Sequence, residues 1–113
     1  MSKYQSNNMK NFVLKTKYAD TMVYLDFHIY TNGTPAIRAL SALNGDLVMT
    51  LTVAIEGVIP DEGCVLLKDW SENEGVVGCL VKEGIVELTG RQFSTGYVFA
   101  KEAKLLMFDE NFR

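Results

Sequence analysis

Thr21-Met22-Val23-Tyr24-Leu25-Asp26-Phe27-His28-Ile29-Tyr30-Thr31 decides the fold. Val23, Leu25, Phe27 and Ile29 alternate with Met22, Tyr24, Asp26, His28 and Tyr30, which predicts a strand with one apolar face toward a core and one mixed face outward. The same period of two returns at Leu47, Met49, Leu51, Val53 and Ile55, interleaved with Val48, Thr50, Thr52 and Ala54. Between the two runs, Asn32-Gly33 and Asn44-Gly45-Asp46 supply residues that accept positive φ in tight turns, and they bracket a strand near Pro35 to Ala42. Upstream, Phe12, Leu14, Thr16 and Tyr18 share one face while Val13, Lys15 and Lys17 share the other. Lysines on a strand discourage further pairing, so this first strand is expected at a sheet edge. The result is an antiparallel meander.

Downstream the pattern changes. Ile59-Pro60-Asp61-Glu62-Gly63 is a turn cluster, and Cys64 to Leu67 reads as a short fifth strand. Ser71 and Glu74 have capping-box spacing, and Val76, Val77, Leu80 and Val81 fall on one face of a helix ending before Gly84. Gly75 and Gly78 each cost about 1 kcal/mol against alanine in a helix interior, so this helix is expected to lean on the sheet. Gly78 is the position expected to permit close approach. Ile85 to Leu88 then predicts a short strand, Thr89 to Gly96 a polar loop, and Tyr97 to Ala100 a strand. Residues 100–108 contain helix formers but follow a strand pattern without a cap, so an extended finish is favoured over a helix. The expected core joins Val23, Leu25, Phe27, Leu51 and Val53 to Val77 and Leu80.

With 113 residues, 48% of them apolar, the chain suits one core, and its composition excludes wholesale disorder. The fold class is α+β: a single domain over residues 11–113, an antiparallel meander of about five to seven strands with one helix packed on it. Residues 1–10 are expected to form a flexible arm. No apolar run approaches the roughly 18 residues of a membrane span. Met1 to Lys10 is polar and lacks the apolar region of a secretory signal, which predicts a cytoplasmic protein with no membrane partner. Cys64 and Cys79, flanked by Val and Leu, are expected as buried free thiols.

Formal net charge is −3, unevenly spread. Lys3, Lys10, Lys15 and Lys17 precede the first acid, Asp20, and form a cationic segment able to touch phosphates. Asp61, Glu62, Asp69, Glu72 and Glu74 face only Lys68 in their stretch, which offers an acidic surface for a basic partner. Trp70 lies inside that stretch, where an aromatic anchor ringed by carboxylates would suit a protein interface. The bland readings are a solvated surface and a ring capping the core.

Catalytic signatures are absent. His28 is the single histidine, and with Cys64 and Cys79 it forms none of the close ligand pairs that metal sites use, so neither metal nor cofactor is expected. Asp26 and His28 share a strand face and could orient an imidazole as a base, although polar neighbours on a solvent-facing strand need no catalytic reason. Gly75-Val76-Val77-Gly78 lacks the basic residues of a nucleic-acid-binding G-x-x-G loop. Asn32-Gly33-Thr34 is a glycosylation sequon that reads here as a turn. The richest segment is Thr89 to Tyr97. There Arg91, Gln92, Ser94, Thr95 and Tyr97 combine a guanidinium, an amide, hydroxyls and a ring between glycines, a mixture suited to a small ligand.

Taken together, Asn32-Gly33, Leu51-Thr52-Val53, the acidic stretch before a helix ending at Gly84, Thr89-Gly90-Arg91 and Thr95-Gly96-Tyr97 resemble a family of small uncharacterised domains carried by phages and mobile elements. Members share an N-G turn, an L-T-V strand, and T-G-R then S-G-Y or S-G-F motifs. The resemblance implies a genetic setting of accessory genes. In that setting the expected function is non-enzymatic, stoichiometric binding: a counter-defence inhibitor of a host protein such as a CRISPR effector, a restriction enzyme or a nucleotide-signalling component. The alternatives are a nucleic-acid-binding accessory protein using the lysine segment with Tyr24 and Tyr30 as stacking rings, and a ligand-binding domain centred on Thr89 to Tyr97.

Overall fold

In the computed structural model, which describes residues 11–106, the first four strands are Phe12–Lys15 (β1), Asp20–Ile29 (β2), Pro35–Ser41 (β3) and Leu47–Thr50 (β4). The arm expected at residues 1–10 lies outside the described residues, as do residues 107–113. The four strands form one antiparallel sheet in the order β1-β2-β3-β4, with β1 at its edge. Leu25 stands opposite Ala39 and Phe27 opposite Ile37, so the alternation of β2 meets that of β3 in register. Val23, Leu25, Ile37 and Ala39 are buried and Phe27 is partly so. Ile29, at the far end of the same face, is 52% exposed because β2 runs past the core.

The expected strand from Leu47 to Ile55 is divided. Leu40 faces Leu47 and Ala39 faces Met49, so Val48 is an extra residue that bends β4, and the strand ends at Thr50. Leu51 still donates to Ile37 O at 2.8 Å, but Val53 N–H turns to Leu66 O and Lys68 N–H to Leu51 O. Thr52 completes the exchange of partners. Its buried hydroxyl oxygen accepts the Ile37 N–H at 3.0 Å, standing in for a strand partner, and Tyr30 Oη lies 3.0 Å from it. Val53 is half-buried and lies outside the main core cluster, contrary to expectation.

Cys64–Leu67 (β5), Val86–Thr95 (β6) and Val98–Leu105 (β7) form a second antiparallel sheet in the order β5-β7-β6. The α+β expectation therefore holds, with seven strands shared between two sheets that meet at the Thr52–Leu67 bridge. The extended finish also holds, through Leu105. Thr89 to Gly96 is no loop. Residues 89–95 belong to β6, and only Gly96 and Tyr97 turn between Thr95 and its partner Val98. Polar content misled here because both faces of this part of the hairpin are largely exposed, so no apolar alternation marks it.

The helix, Val76–Lys82 (α1), packs against β1 and β6 and closes the remaining gap between the sheets. Val76, Val77 and Leu80 are buried with Leu14, Leu51, Val65 and Leu67 in the shared core, whereas Val81 is 42% exposed. The Ser71–Glu74 capping box does not form. Ser71 begins a short 3-10 turn, Ser71–Asn73, with φ +57, whereas a capping serine needs an extended backbone. Asp69 caps the helix instead, its Oδ1 accepting the N–H groups of Gly75 and Val77 at 3.1 Å each. Gly75, not Gly78, makes the close approach: a Cβ at Gly75 would lie 3.1 Å from Lys17 N, while one at Gly78 would meet nothing within 4 Å. Among the described residues, no helix is long and apolar enough to cross a membrane.

Candidate functional site

A glycine inside a strand pattern marks a bulge or a close backbone approach, and Gly90, at φ +95, marks a bulge. Leu88 pairs with Ala103 and Gln92 with Lys101, so Thr89, Gly90 and Arg91 together face the single residue Glu102. Glu102 is fully buried. Its carboxylate accepts the Thr89 hydroxyl at 2.7 Å through Oε1 and the Asp61 backbone N–H at 3.0 Å through Oε2. Arg91 Nε stands 3.6 Å from Oε1, and Arg91 Nη1 bonds Asp61 Oδ2 at 3.0 Å. The Arg91 guanidinium also lies over the Phe93 ring, 5.1 Å from its centroid. Both oxygens of this buried carboxylate are hydrogen-bonded and its charge is paired, which is the condition for tolerating it in the interior.

Beside the bulge opens a cavity of about 170 Å³ lined by Leu88, Gly90, Arg91, Gln92, Lys101 and Glu102. Of the five residues expected at a ligand site, Arg91 and Gln92 reach it. Ser94 and Thr95 lie farther along β6 opposite Phe99 and Val98, and Tyr97 is fully exposed in the turn. Arg91 is already engaged by two carboxylates, which leaves Lys101 as the cation of this wall without an ion pair among the described residues. Sequence reasoning missed Glu102 and Lys101, both hidden in the stretch of undecided structure. The clue was Thr89-Gly90-Arg91 itself, since a glycine bulge obliges the facing strand to supply a partner.

Four of the five acids of the acidic stretch have local partners. Asp61 turns to Arg91, Glu62 stands exposed in the turn before β5, and Asp69 is spent on the α1 cap. Glu72 pairs with Lys68 at 3.4 Å and Glu74 with Lys17 at 3.7 Å. Its own backbone N–H and the Lys68 charge hold the Glu72 carboxyl below the usual carboxylate value. Trp70 is half-buried just before the 3-10 turn. Glu72 also borders a second, larger cavity of about 230 Å³ whose walls include Leu14, Tyr18, Thr21, Val48 and Met49. Leu14 forms an apolar floor while Tyr18 stands 64% exposed at the rim.

On the outer face of the first sheet, Asp26 Oδ2 receives Arg38 Nε at 3.2 Å and lies 2.6 Å from His28 Nε2. Burial alone would push the Asp26 carboxyl up, but the hydrogen bonds and charges of Arg38 and His28 outweigh it and hold it down. Nε2 also lies 2.7 Å from Arg38 Nη2, so this ring nitrogen stands between a donor and an acceptor and its role toward each follows the ring tautomer. The expected Asp26–His28 pair thus exists, as part of a cross-strand ion cluster. Tyr24 and Tyr30 are half-buried, and the Tyr30 hydroxyl is tied to Thr52. Cys64 is buried, and burial followed by the charges of Glu102 and Asp61 pushes its thiol up. Cys79 is only partly buried. Its thiol contacts the outer edge of β1, donating to Val13 O at 3.5 Å and accepting Lys15 N–H at 3.3 Å. Among the described residues, no group of three or more His, Cys, Asp or Glu side chains gathers as a metal site. Comparison with protein-family models, curated proteins and solved structures finds no match to this chain, so the resemblance to the phage-borne family rests on its motifs.

Proposed function

We propose that this protein acts by stoichiometric binding of another protein, without a catalytic step, through the face around the Leu14-floored cavity. The carrying observation is that cavity, with an apolar floor, an exposed Tyr18 ring at its rim and the Glu72 carboxylate on its border. A concave apolar pocket with an aromatic rim and flanking charge is the arrangement that anchors a partner's side chain while steering its approach. Glu72, paired with Lys68, is the part of the acidic stretch that borders this cavity. In the accessory-gene setting implied by the resemblance, the partner is a host defence protein with a basic surface, and the protein is a counter-defence inhibitor.

Expression of the tagged full chain in a defended bacterial host tests this, with phage plating efficiency and co-purified protein as readouts. Thr21→Trp, which fills the cavity, and Glu72→Lys are expected to abolish both protection of the phage and capture of the partner while circular dichroism stays unchanged. Retention of capture by both folded variants would overturn the reading.

A further inference from the structure

The ladder of the β6–β7 hairpin sets Ser94 opposite Phe99 and Gln92 opposite Lys101, so these four side chains share one face. Ala103 and Leu105 lie on that face of β7 too, and there they are buried. Phe99 lies beyond the rim of the core and is 52% exposed. Two residues along, about 7 Å by strand geometry, stands Lys101. Its ammonium makes no hydrogen bond or ion pair among the described residues, and it forms part of the wall of the 170 Å³ cavity. Gln92, across the ladder, lines the same cavity and brings an amide that both donates and accepts.

We propose that this face binds a nucleoside phosphate, its base stacked on Phe99, its phosphate at Lys101 and its polar edge on the Gln92 amide. The chemistry is that of single-strand recognition, in which an aromatic face accepts any base and a neighbouring cation tracks the backbone. Charge complementarity favours this occupant. Lys101 makes no ion pair among the described residues, whereas Arg91 is held by both Asp61 and Glu102, so this face offers one cation to one phosphate and not a tract for a polyanion. The inference is independent of the protein-binding reading, because Phe99 and Lys101 lie on a different element from Tyr18 and Glu72.

Two sources carry this chemistry, a free nucleotide and a nucleotide within a single strand. Fluorescence anisotropy with a fluorescein-labelled ten-nucleotide oligothymidylate at low salt, with thymidine monophosphate as competitor, addresses both. The full chain is expected to bind. Phe99→Ala should weaken binding roughly 5- to 150-fold, while Phe99→Trp, which keeps the stacking face, retains it. Lys101→Gln should lower the salt slope by about 0.7, the contribution of one single-strand phosphate. Displacement by the mononucleotide at matched nucleotide concentration identifies a free nucleotide as the ligand, and displacement only by unlabelled oligomer identifies a strand. Failure of the unmodified protein to bind either probe, or unchanged binding by folded Phe99→Ala and Lys101→Gln, would overturn the proposal.

Discussion

Asp26 shows how much of one residue's role lies in its partners. The sequence placed it beside His28 on a strand face, but Arg38, which supplies its two guanidinium contacts, comes from the neighbouring strand through the β2–β3 register. Such a carboxylate is held below its ordinary pKa, so its contribution to stability is present above the unfolded value of about 3.9 and is lost as pH falls through the lower folded value. The difference in urea midpoint between the wild type and Asp26→Asn should therefore shrink as pH falls below about 4. A difference that widened below that pH would contradict the ion cluster. Glu102 makes the same point more strongly. No local pattern announces a carboxylate that is fully buried, because its acceptances come from Thr89 on β6 and from the Asp61 amide.

For the elements, what was legible followed from apolar alternation and turn chemistry. β2 and β3 appear close to where period two and the Asn-Gly turns put them, β5 where the apolar run after the turn cluster put it, and the helix buries Val76, Val77 and Leu80. Two boundaries moved because a tertiary contact outranked a local motif. Thr52 left the strand pattern to bridge to β5, and the helix start shifted because Asp69, six residues before Gly75, captured its first amides. The two helix glycines now separate cleanly. Gly75→Ala must adopt φ near +99 with a Cβ against the Lys17 backbone and should lower the melting temperature. Gly78→Ala meets nothing and, by helix propensity, should stabilise by up to about 1 kcal/mol. Thermal melts of the two variants check the pair, and the opposite order would refute the packing of α1. The candidate site was half legible for a related reason: Arg91 and Gln92 came from a recognisable glycine-bounded segment, while Lys101 and Phe99 needed the ladder to bring them opposite.

The whole molecule is a circuit of neighbours: β1 to β4, then Leu51–Val53 to β5, β7 and β6, and back through α1 to β1. Leu51 sits where the sheets exchange partners and is fully buried. Leu51→Ala should cost about 2–5 kcal/mol, near the whole margin of a small domain, and equilibrium denaturation measures it. A loss under 1 kcal/mol would mean that the sheets are not coupled there. The order of the second sheet carries one further consequence, in time rather than energy. β5 takes as its ladder partner not the next strand made but the last, and β7 is central. On a ribosome adding roughly 5–20 residues per second, β5 emerges and waits some seconds with its edge open. During that wait the first sheet can already be assembled, which leaves a meander trailing an apolar segment, Cys64-Val65-Leu66-Leu67, whose β7-facing edge has no partner. Synthesis of β7 ends that exposure, and a ribosome stalled before Val98 would leave this segment open to chaperones.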